Sequence, residues 1–220
     1  MIRVFIGYDY KESIAYHVLC QSIMDNASGP VCFTPIYLKN LPFFSRERDP
    51  KQSTDFSFSR FLVPFLCDYQ GMALFVDCDM LCLGDVYKLF AQADGSAVQV
   101  VQHDYTPKTV TKFLGNVQTV YAKKNWSSVM LFDCSHPDCK NLTPEYVNTA
   151  TGLELHQFKW TDSAGELSAD WNYLVGEQES KGHQNLIHYT LGGPYFKDHK
   201  DCEYAQEWAE YLERAGHCAQ

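Results

Sequence analysis

The sequence predicts an α/β fold, and two stretches carry that prediction. The run Met72–Val76 is apolar and too short for a buried helix, so it predicts a buried strand. At the start of the chain, apolar residues alternate from Ile2 to Ile6, and Gly7 ends the pattern before a helix-like stretch begins. A strand, a tight turn and a helix in that order begin a β-α-β unit. The length of 220 residues predicts one sizeable domain over residues 1–220.

Composition and charge exclude several classes of partner. The formal charge of −9 disfavours nucleic acid and anionic membrane surfaces as main partners. A nucleotide remains compatible with this charge, because a bound metal ion would invert the local field. No apolar run is long enough for a transmembrane segment, and the start of the chain lacks a secretory signal pattern. Since the nine cysteines form no regular framework, we expect a cytoplasmic protein with mostly reduced thiols.

Two carboxylates directly follow the predicted strand 72–76. Asp77 and Asp79 are two positions apart, and strand alternation would point both side chains to the same side. Open α/β folds bind ligands at the edge where such strands end. No Lys or Arg within the stretch offers a counter-charge, so a divalent cation is the natural partner. The alternative is that both acids are ordinary turn residues, for which Asp is common.

The rest of the chain alternates predicted strands, helices and loops. Further strands are predicted at 31–38, 97–102 and 129–132, and helices at 14–23, 57–69, 144–158 and 203–214. The segments 40–55 and 106–124 are predicted to be long loops. Pro64 lies inside the predicted helix 57–69, where it predicts a kink or an early helix boundary. Asp9 and Glu12 have capping-box spacing, so helix capping is one role open to Asp9.

Two segments of the chain resemble a known family. The run Val-Asp-Cys-Asp-Met-Leu-Cys-Leu-Gly-Asp at 76–85 resembles the D-x-D segment of glycosyltransferases with the GT-A fold, especially the retaining family-8-like group. The run Leu-Ile-His-Tyr-Thr-Leu-Gly-Gly-Pro-Tyr at 186–195 resembles that group's I-H-Y-x-G-x-x-K-P-W segment. The resemblance implies a single Rossmann-like α/β/α domain with a mixed central sheet. It also implies that Asp77, Asp79 and His188 bind Mn²⁺ or Mg²⁺ together with the donor's diphosphate.

The resemblance extends to residues that would contact a nucleotide-sugar donor. The loop after the first strand would lie against the base and ribose, and its residues are Gly7, Tyr8 and Asp9. Arg60, in Phe-Ser-Arg-Phe, matches a helix whose arginine contacts the donor, and a guanidinium suits phosphate well. The other positions that would contact the diphosphate or the sugar are Cys78, Asn125, Ser127, Gly192 and Lys197.

The chain departs from the family pattern at several positions. Trp126 interrupts a segment that otherwise resembles N-S-G-V-M-L, and the Lys-Pro-Trp end of the second motif is missing. His156 and Gln157 stand near the place of the family's Asp-Gln pair. No residue is therefore matched to a catalytic nucleophile or base. Trp171 and Asn172 resemble the family's W-N pair.

The resemblance implies a metal-dependent, hexosyltransferase-like enzyme that moves a sugar from a nucleotide-diphosphate donor to a glycan, lipid or protein acceptor, with retention. Two alternatives remain open. A haloacid-dehalogenase-like phosphatase also ends a strand in D-x-D and uses the first Asp as its nucleophile. That family expects Thr or Val at the position of Leu81. The other alternative is a protein that binds nucleotide sugars without turning them over.

Overall fold

The structure is a computed structural model, and it describes residues 1–49, 52–109, 122–180 and 182–217. Residues 50 and 51 of the predicted loop 40–55, and residues 110–121 of the predicted loop 106–124, lie outside the described part. The strands in this part are β1 (Ile2–Gly7), β2 (Val31–Ile36), β3 (Met72–Val76), β4 (Met80–Cys82), β5 (Val98–Val100), β6 (Val129–Asp133), β7 (Ala164–Glu166), β8 (Tyr173–Leu174) and β9 (Leu186–His188). The α-helices are α1 (Ser13–Asn26), α2 (Val63–Leu66), α3 (Val86–Phe90), α4 (Pro144–Thr149), α5 (Gly152–His156) and α6 (Ala205–Leu212).

The larger sheet has six strands in the order β2-β1-β3-β6-β5-β7. β1 pairs in parallel with β2 and β3, whereas β6 runs antiparallel to both β3 and β5. β7 lies parallel to β5 at the edge of the sheet. This arrangement confirms the predicted α/β class with a mixed central sheet. Because β1 and β3 are parallel neighbours, the segments that follow Gly7 and Val76 leave the sheet at the same edge.

The smaller sheet brings two distant segments of the chain together. Its order is β4-β9-β8, and β4 begins directly after Asp79. β4 and β9 are antiparallel, in a register that places Met80 opposite His188. Strand pairing therefore carries His188 to the end of the Asp-Cys-Asp segment. None of the three strands of this sheet was predicted, because stretches of two or three residues show no readable period.

Helix α1 packs against both sheets and holds them together. Its Leu19 and Ile23 belong to the main core, which includes the buried residues of β1 and β3. Its Val18 belongs to a second buried cluster that contains Leu81 of β4 and Ile187 of β9. The small sheet, and with it His188, is thus fixed relative to the large one by apolar packing on one helix. No helix among the described residues is long and apolar enough to cross a membrane.

The predicted helix 57–69 is shorter than expected, and Pro64 explains the difference. A 3-10 turn over Ser59–Leu62 leads into the single turn of α2. Pro64 lies in the first turn of α2, where its missing N–H would have had no helical partner. Asp68 and Tyr69 then take positive φ angles of 51° and 52°, which the helix cannot continue through. Pro64 therefore begins a short helix and does not kink a long one.

Candidate active site

Three predicted metal ligands lie together at the edge where β1 and β3 end. One ligand atom from each of Asp77, Asp79 and His188 lies within 4.8 Å of the other two. Nε2 of the His188 imidazole lies 3.5 Å from Asp79 Oδ1. Asp79 is 7% exposed and His188 is 2% exposed. Two carboxylates and an imidazole form a donor set that fits a divalent cation such as Mn²⁺ or Mg²⁺.

Backbone hydrogen bonds fix the Asp-Cys-Asp segment at both ends. The N–H of Asp77 donates to the carbonyl of Ser128 at 3.0 Å, just before β6 begins. The N–H of Tyr189 donates to the carbonyl of Asp79 at 2.9 Å, just after His188. The segment is therefore tied to the large sheet on one side and to the small sheet on the other. Both acids are presented by backbone that has little freedom to move.

Arg60 pairs with the first of the two acids. Its Nη1 lies 2.8 Å from Asp77 Oδ1 and donates to the carbonyl of Ser127 at 2.9 Å. The guanidinium centre lies 5.2 Å and 5.1 Å from the ring centroids of Phe56 and Phe75. Arg60 is 5% exposed. The sequence predicted that it faces the donor's phosphates, whereas its contacts are with Asp77 and the protein interior.

This ion pair corrects the argument that the acids have no cationic partner. The stretch around Asp77 contains no Lys or Arg, but Arg60 reaches it from the 3-10 turn before α2. One arginine beside two carboxylates still leaves the group negative. The need for a further cation therefore persists, although it is smaller than the sequence indicated.

Glu12 adds a carboxyl to the same region, although its spacing in the sequence predicted only helix capping. It is 1% exposed and accepts a hydrogen bond from Tyr195 Oη at 2.7 Å. Burial, followed by the charge of Asp79, raises the pKa of the Glu12 carboxyl to about 8. The only sequence signal for this residue was an acid three positions after Asp9. The Tyr195 contact links the start of α1 to the loop that follows His188.

The carboxylate of Asp9 accepts hydrogen bonds from two backbone N–H groups. Its Oδ1 accepts from the N–H of Lys11 at 3.0 Å, which caps the 3-10 turn Tyr10–Glu12. Its Oδ2 accepts from the N–H of Asp55 at 3.1 Å. Of the two roles that the sequence left open, capping is the one these contacts support, and Asp9 is 2% exposed. Its predicted contact with a base or ribose stays a prediction.

The two residues before Asp9 lie against aromatic side chains. A Cβ atom at Gly7 would approach the ring of Phe56 to 2.3 Å, so only glycine fits there. Tyr8 is half-buried, and its ring meets those of Tyr16 and Tyr37 edge-on at 5.5 Å and 4.9 Å. These contacts fix the orientation of the Tyr8 ring beside the edge at which β1 ends.

Cys78 lies between the two acids, and its side chain is buried. The residue is fully buried and belongs to the main apolar cluster. Burial is the main cause that raises the pKa of the Cys78 thiol well above its ordinary value. The predicted contact of Cys78 with the donor stays a prediction.

Asn125 and Ser127 make hydrogen bonds to residues that surround the metal cluster. Asn125 has a positive φ of 60°, and its Nδ2 donates to Tyr105 Oη at 2.8 Å and to Thr190 Oγ1 at 3.3 Å. Ser127 Oγ lies 2.7 Å from Nδ1 of His156. Burial, with the charge of nearby Arg60, lowers the pKa of His156 to about 3. The imidazole is thus neutral at pH 7, and the Ser127 hydroxyl is engaged by the protein itself.

The last two predicted donor residues differ in their surroundings. Gly192 is buried, with a positive φ of 132° that favours glycine, and its N–H donates to the carbonyl of Tyr189 at 2.8 Å. Lys197 is exposed at the start of the turn Lys197–His199. Among the described residues, Lys197 takes no part in the hydrogen bonds and ion pairs of the metal cluster. Gly192 therefore belongs to the loop that directly follows His188, whereas Lys197 begins the next turn, and the donor contacts of both stay predictions.

The chain has a close relative among known proteins. It is 48% identical over 222 residues to Protein CDI of Arabidopsis thaliana, and the match covers 96% of this chain and 86% of the relative. No family model matches the chain.

Several solved structures that resemble this one are glycosyltransferases. The galactosyltransferase LgtC, in complex with donor and acceptor sugar analogues, gives a TM-score of 0.64 at 12% identity, over 97% of this chain and 96% of LgtC. The bifunctional glycosyltransferase WbbM gives 0.66 at 13% identity, over 96% of this chain. GlyE of Streptococcus pneumoniae gives 0.64 at 11% identity, also over 96% of this chain. The chain spans 49% of the length of WbbM and 60% of that of GlyE.

Identities this low establish the fold alone, and they confirm the predicted GT-A architecture. The much higher identity to the plant protein establishes the family. The chain therefore has the GT-A glycosyltransferase fold and belongs to the same family as Protein CDI of Arabidopsis thaliana.

Proposed function

We propose that this chain is a metal-dependent glycosyltransferase that moves a sugar from a nucleotide-diphosphate donor to an acceptor, with retention at the anomeric carbon. The observation that carries the proposal is the group of Asp77, Asp79 and His188, whose ligand atoms lie within 4.8 Å of one another. The group lies at the ligand-binding edge of the sheet in a GT-A fold. In this proposal residues 1–220 act as one transferase domain.

The donor atoms fit the cation that the fold implies. Two carboxylate groups and one imidazole suit Mn²⁺ and Mg²⁺, and the nitrogen ligand favours Mn²⁺. When bound, such a cation supplies charge stabilisation to the nucleoside diphosphate that leaves. Arg60 holds the carboxylate of Asp77 in place and balances part of its charge.

The chain's own residues divide the remaining tasks. Helix α1 and the small sheet hold His188 in position, and the two backbone bonds of the Asp-Cys-Asp segment orient both acids. We propose that Tyr8 lies against the base and that Asn125, Ser127 and Gly192 line the sugar and diphosphate positions. The complex of LgtC with donor and acceptor sugar analogues supports a donor and an acceptor position in this fold.

The contacts and the fold disfavour a phosphatase. A phosphatase of the haloacid-dehalogenase type would use Asp77 as its nucleophile. Here the ion pair with Arg60 engages the Asp77 carboxylate, and LgtC and WbbM, which share the fold, are glycosyltransferases. A binding protein without turnover is separated from an enzyme by the experiment that follows.

The test is turnover of nucleotide sugars by the purified chain. UDP-, GDP-, CDP- and ADP-sugars are supplied in turn with Mn²⁺, and the release of nucleoside diphosphate is measured. We expect one donor class to be hydrolysed or transferred, a chelator to stop the reaction, and added Mn²⁺ to restore it. Donor binding without release would support a non-catalytic binder. Cleavage of p-nitrophenyl phosphate in place of nucleotide sugars would support a phosphatase.

A further inference from the structure

The side chain of Asn172 occupies the space between the metal cluster and the large sheet. It is fully buried and follows the 3-10 turn Ala169–Trp171, directly before β8. β8 pairs in parallel with β9, in a register that places Leu174 opposite His188. The pairing of these two short strands therefore fixes the distance between Asn172 and His188.

The orientation of the Asn172 amide follows from the groups around it. Its Nδ2 lies 3.1 Å from the carbonyl oxygen of Asn125 and 2.9 Å from Ser128 Oγ. Ser128 Oγ donates its own hydrogen to the same carbonyl at 2.6 Å, so it can only accept from Asn172. An amide oxygen in this place would face a carbonyl oxygen. The NH₂ group must therefore point towards Asn125 and Ser128.

The orientation of the amide decides which nitrogen of His188 carries the hydrogen. Asn172 Oδ1, which can only accept, lies 3.0 Å from His188 Nδ1. Nδ1 must therefore be the donor, and in a neutral imidazole the other nitrogen then has a free lone pair. That nitrogen, Nε2, is the one that lies 3.5 Å from Asp79 Oδ1 in the metal cluster.

We propose that Asn172 is a positioning residue that holds His188 in the Nδ1–H tautomer, with the Nε2 lone pair directed at the metal position. This inference rests on the proposed metal site. Metal-binding histidines commonly donate their second ring N–H to a fixed acceptor, and loss of that acceptor lowers metal affinity by about 10- to 100-fold. Asn172 acts through His188 alone in this proposal.

The first test reads the tautomer directly in the metal-free protein. Selective ¹⁵N labelling of histidine and long-range ¹H–¹⁵N correlation spectra at pH 8 distinguish the two neutral tautomers, and His188→Gln assigns the signal. We expect the Nδ1–H form of His188 in the wild-type chain and a mixture of forms in Asn172→Ala. A wild-type His188 in the Nε2–H form would overturn the proposal without any variant being needed.

The second test measures Mn²⁺ affinity by calorimetry in three variants, with saturating nucleoside diphosphate of the class that the wild type binds, because Mn²⁺ alone is expected to bind weakly. Asn172→Ala is expected to lose about 10- to 100-fold in affinity. Asn172→Asp keeps an acceptor for Nδ1–H, so it should bind Mn²⁺ nearly as well as the wild type, despite a lower melting temperature. Ser128→Ala is the matched control, because it removes a buried hydrogen bond of Asn172 but leaves Oδ1 facing His188. It should melt earlier and bind Mn²⁺ nearly as well as the wild type.

The outcomes separate this inference from the proposed function. Equal Mn²⁺ affinity in Asn172→Ala and the wild type would overturn the role of Asn172 while leaving the metal site intact. Equal losses in Asn172→Ala and Ser128→Ala would also overturn it, because they would reveal a general structural effect. If the wild type bound no Mn²⁺ even with nucleoside diphosphate present, the metal site would fail, and the tautomer spectrum alone would decide the role of Asn172.

Discussion

The two ends of the central sheet carry similar residues that meet very different neighbours. β3 is followed by Asp77 at one end, and the antiparallel β6 ends in Asp133 at the other. Asp77 lies close to His188 and pairs with Arg60. Asp133 Oδ1 accepts from the N–H of Ser135 at 3.0 Å and closes a turn. A strand that ends in an acid is therefore common to both ends, and the topology decides which acid belongs to a site.

The arginines at the two ends differ in the same way. Arg60 is buried and pairs with a carboxylate. Arg3, which is half-buried, donates to the backbone carbonyls of Met72 and Gln70 at the start of β3. Arg60 balances the charge of a carboxylate, whereas Arg3 donates hydrogen bonds to backbone carbonyls that the sheet leaves without a partner. At the end that holds Asp77, one arginine faces the two carboxylates of Asp77 and Asp79, so negative charge remains there.

The largest expected effect separates the two acids by activity. Asp79→Asn keeps the shape of the side chain but removes a charged ligand, so donor turnover should fall by roughly a hundredfold or more. Asp133→Asn, at the opposite end, should keep nearly full turnover. In metal-free buffer Asp79→Asn should be as stable as the wild type or slightly more so, because repulsion between neighbouring carboxylates is relieved. Turnover is measured with the nucleotide sugar that the wild type accepts in the donor screen. Equal turnover in the two variants would remove the distinction between the ends.

The next effect separates the two arginines by stability. Arg60→Ala leaves the carboxylate of Asp77 without its buried partner, so the free energy of unfolding should fall by about 3–5 kcal/mol. Arg3→Ala should cost less, about 1–3 kcal/mol, because it removes hydrogen bonds to backbone carbonyls. Urea denaturation measures both.

Added Mn²⁺ should change the stability of the same two variants by different amounts. A cation beside Asp77 replaces part of the lost positive charge, so Mn²⁺ should stabilise Arg60→Ala more than it stabilises Arg3→Ala. Identical stabilisation of both variants would mean that Arg60 and the metal do not share Asp77.

A further expected effect is a pH dependence that arises at the metal end. The pKa of Glu12 rises from an ordinary 4.5 to about 8 on folding. Between these values the folded chain holds a proton that the unfolded chain releases. This part of the free energy of unfolding is therefore fully present below about pH 4.5 and is lost as the pH rises through about 8.

Glu12→Gln has no proton to exchange, so its stability should fall less steeply than that of the wild type over this range in chelator. The exposed Glu210→Gln serves as the control and should follow the wild-type curve. Parallel curves of stability against pH for Glu12→Gln and the wild type would show that folding does not raise the pKa of Glu12.

Strong local patterns made part of the fold predictable from the sequence. β1, α1 and β3 each show a clear period or an apolar run, and the structure has them within a few residues of the predicted bounds. Close motif matches led to Asp77, Asp79 and His188, which the structure brings together. The GT-A fold was predictable because two separate segments, around Asp79 and His188, both resemble motifs of that family. The roles of the donor-contact residues, the cytoplasmic location and the one-domain organisation remain predictions.

Other features depend on tertiary placement, which no local pattern reveals. The small sheet is built from strands of two or three residues, too short to show a period. Arg60 and Asp77 lie on different elements, so their ion pair exists only once both are packed. The same holds for the contact of Asn172 with His188 and for the burial of Glu12. In each case a residue's partner, which determines its chemistry, comes from a distant part of the chain.

The most direct test of the metal site is the linkage between metal and nucleotide binding. Calorimetry measures the affinity of the full chain for UDP, GDP, CDP and ADP, each with and without Mn²⁺. We predict that Mn²⁺ alone binds weakly and that it raises the affinity for the preferred nucleoside diphosphate by about tenfold or more. The nucleoside diphosphate should raise the affinity for Mn²⁺ by the same factor. Asp79→Asn should abolish this linkage. Nucleotide affinity that is indifferent to Mn²⁺ in both proteins would contradict the metal-dependent account.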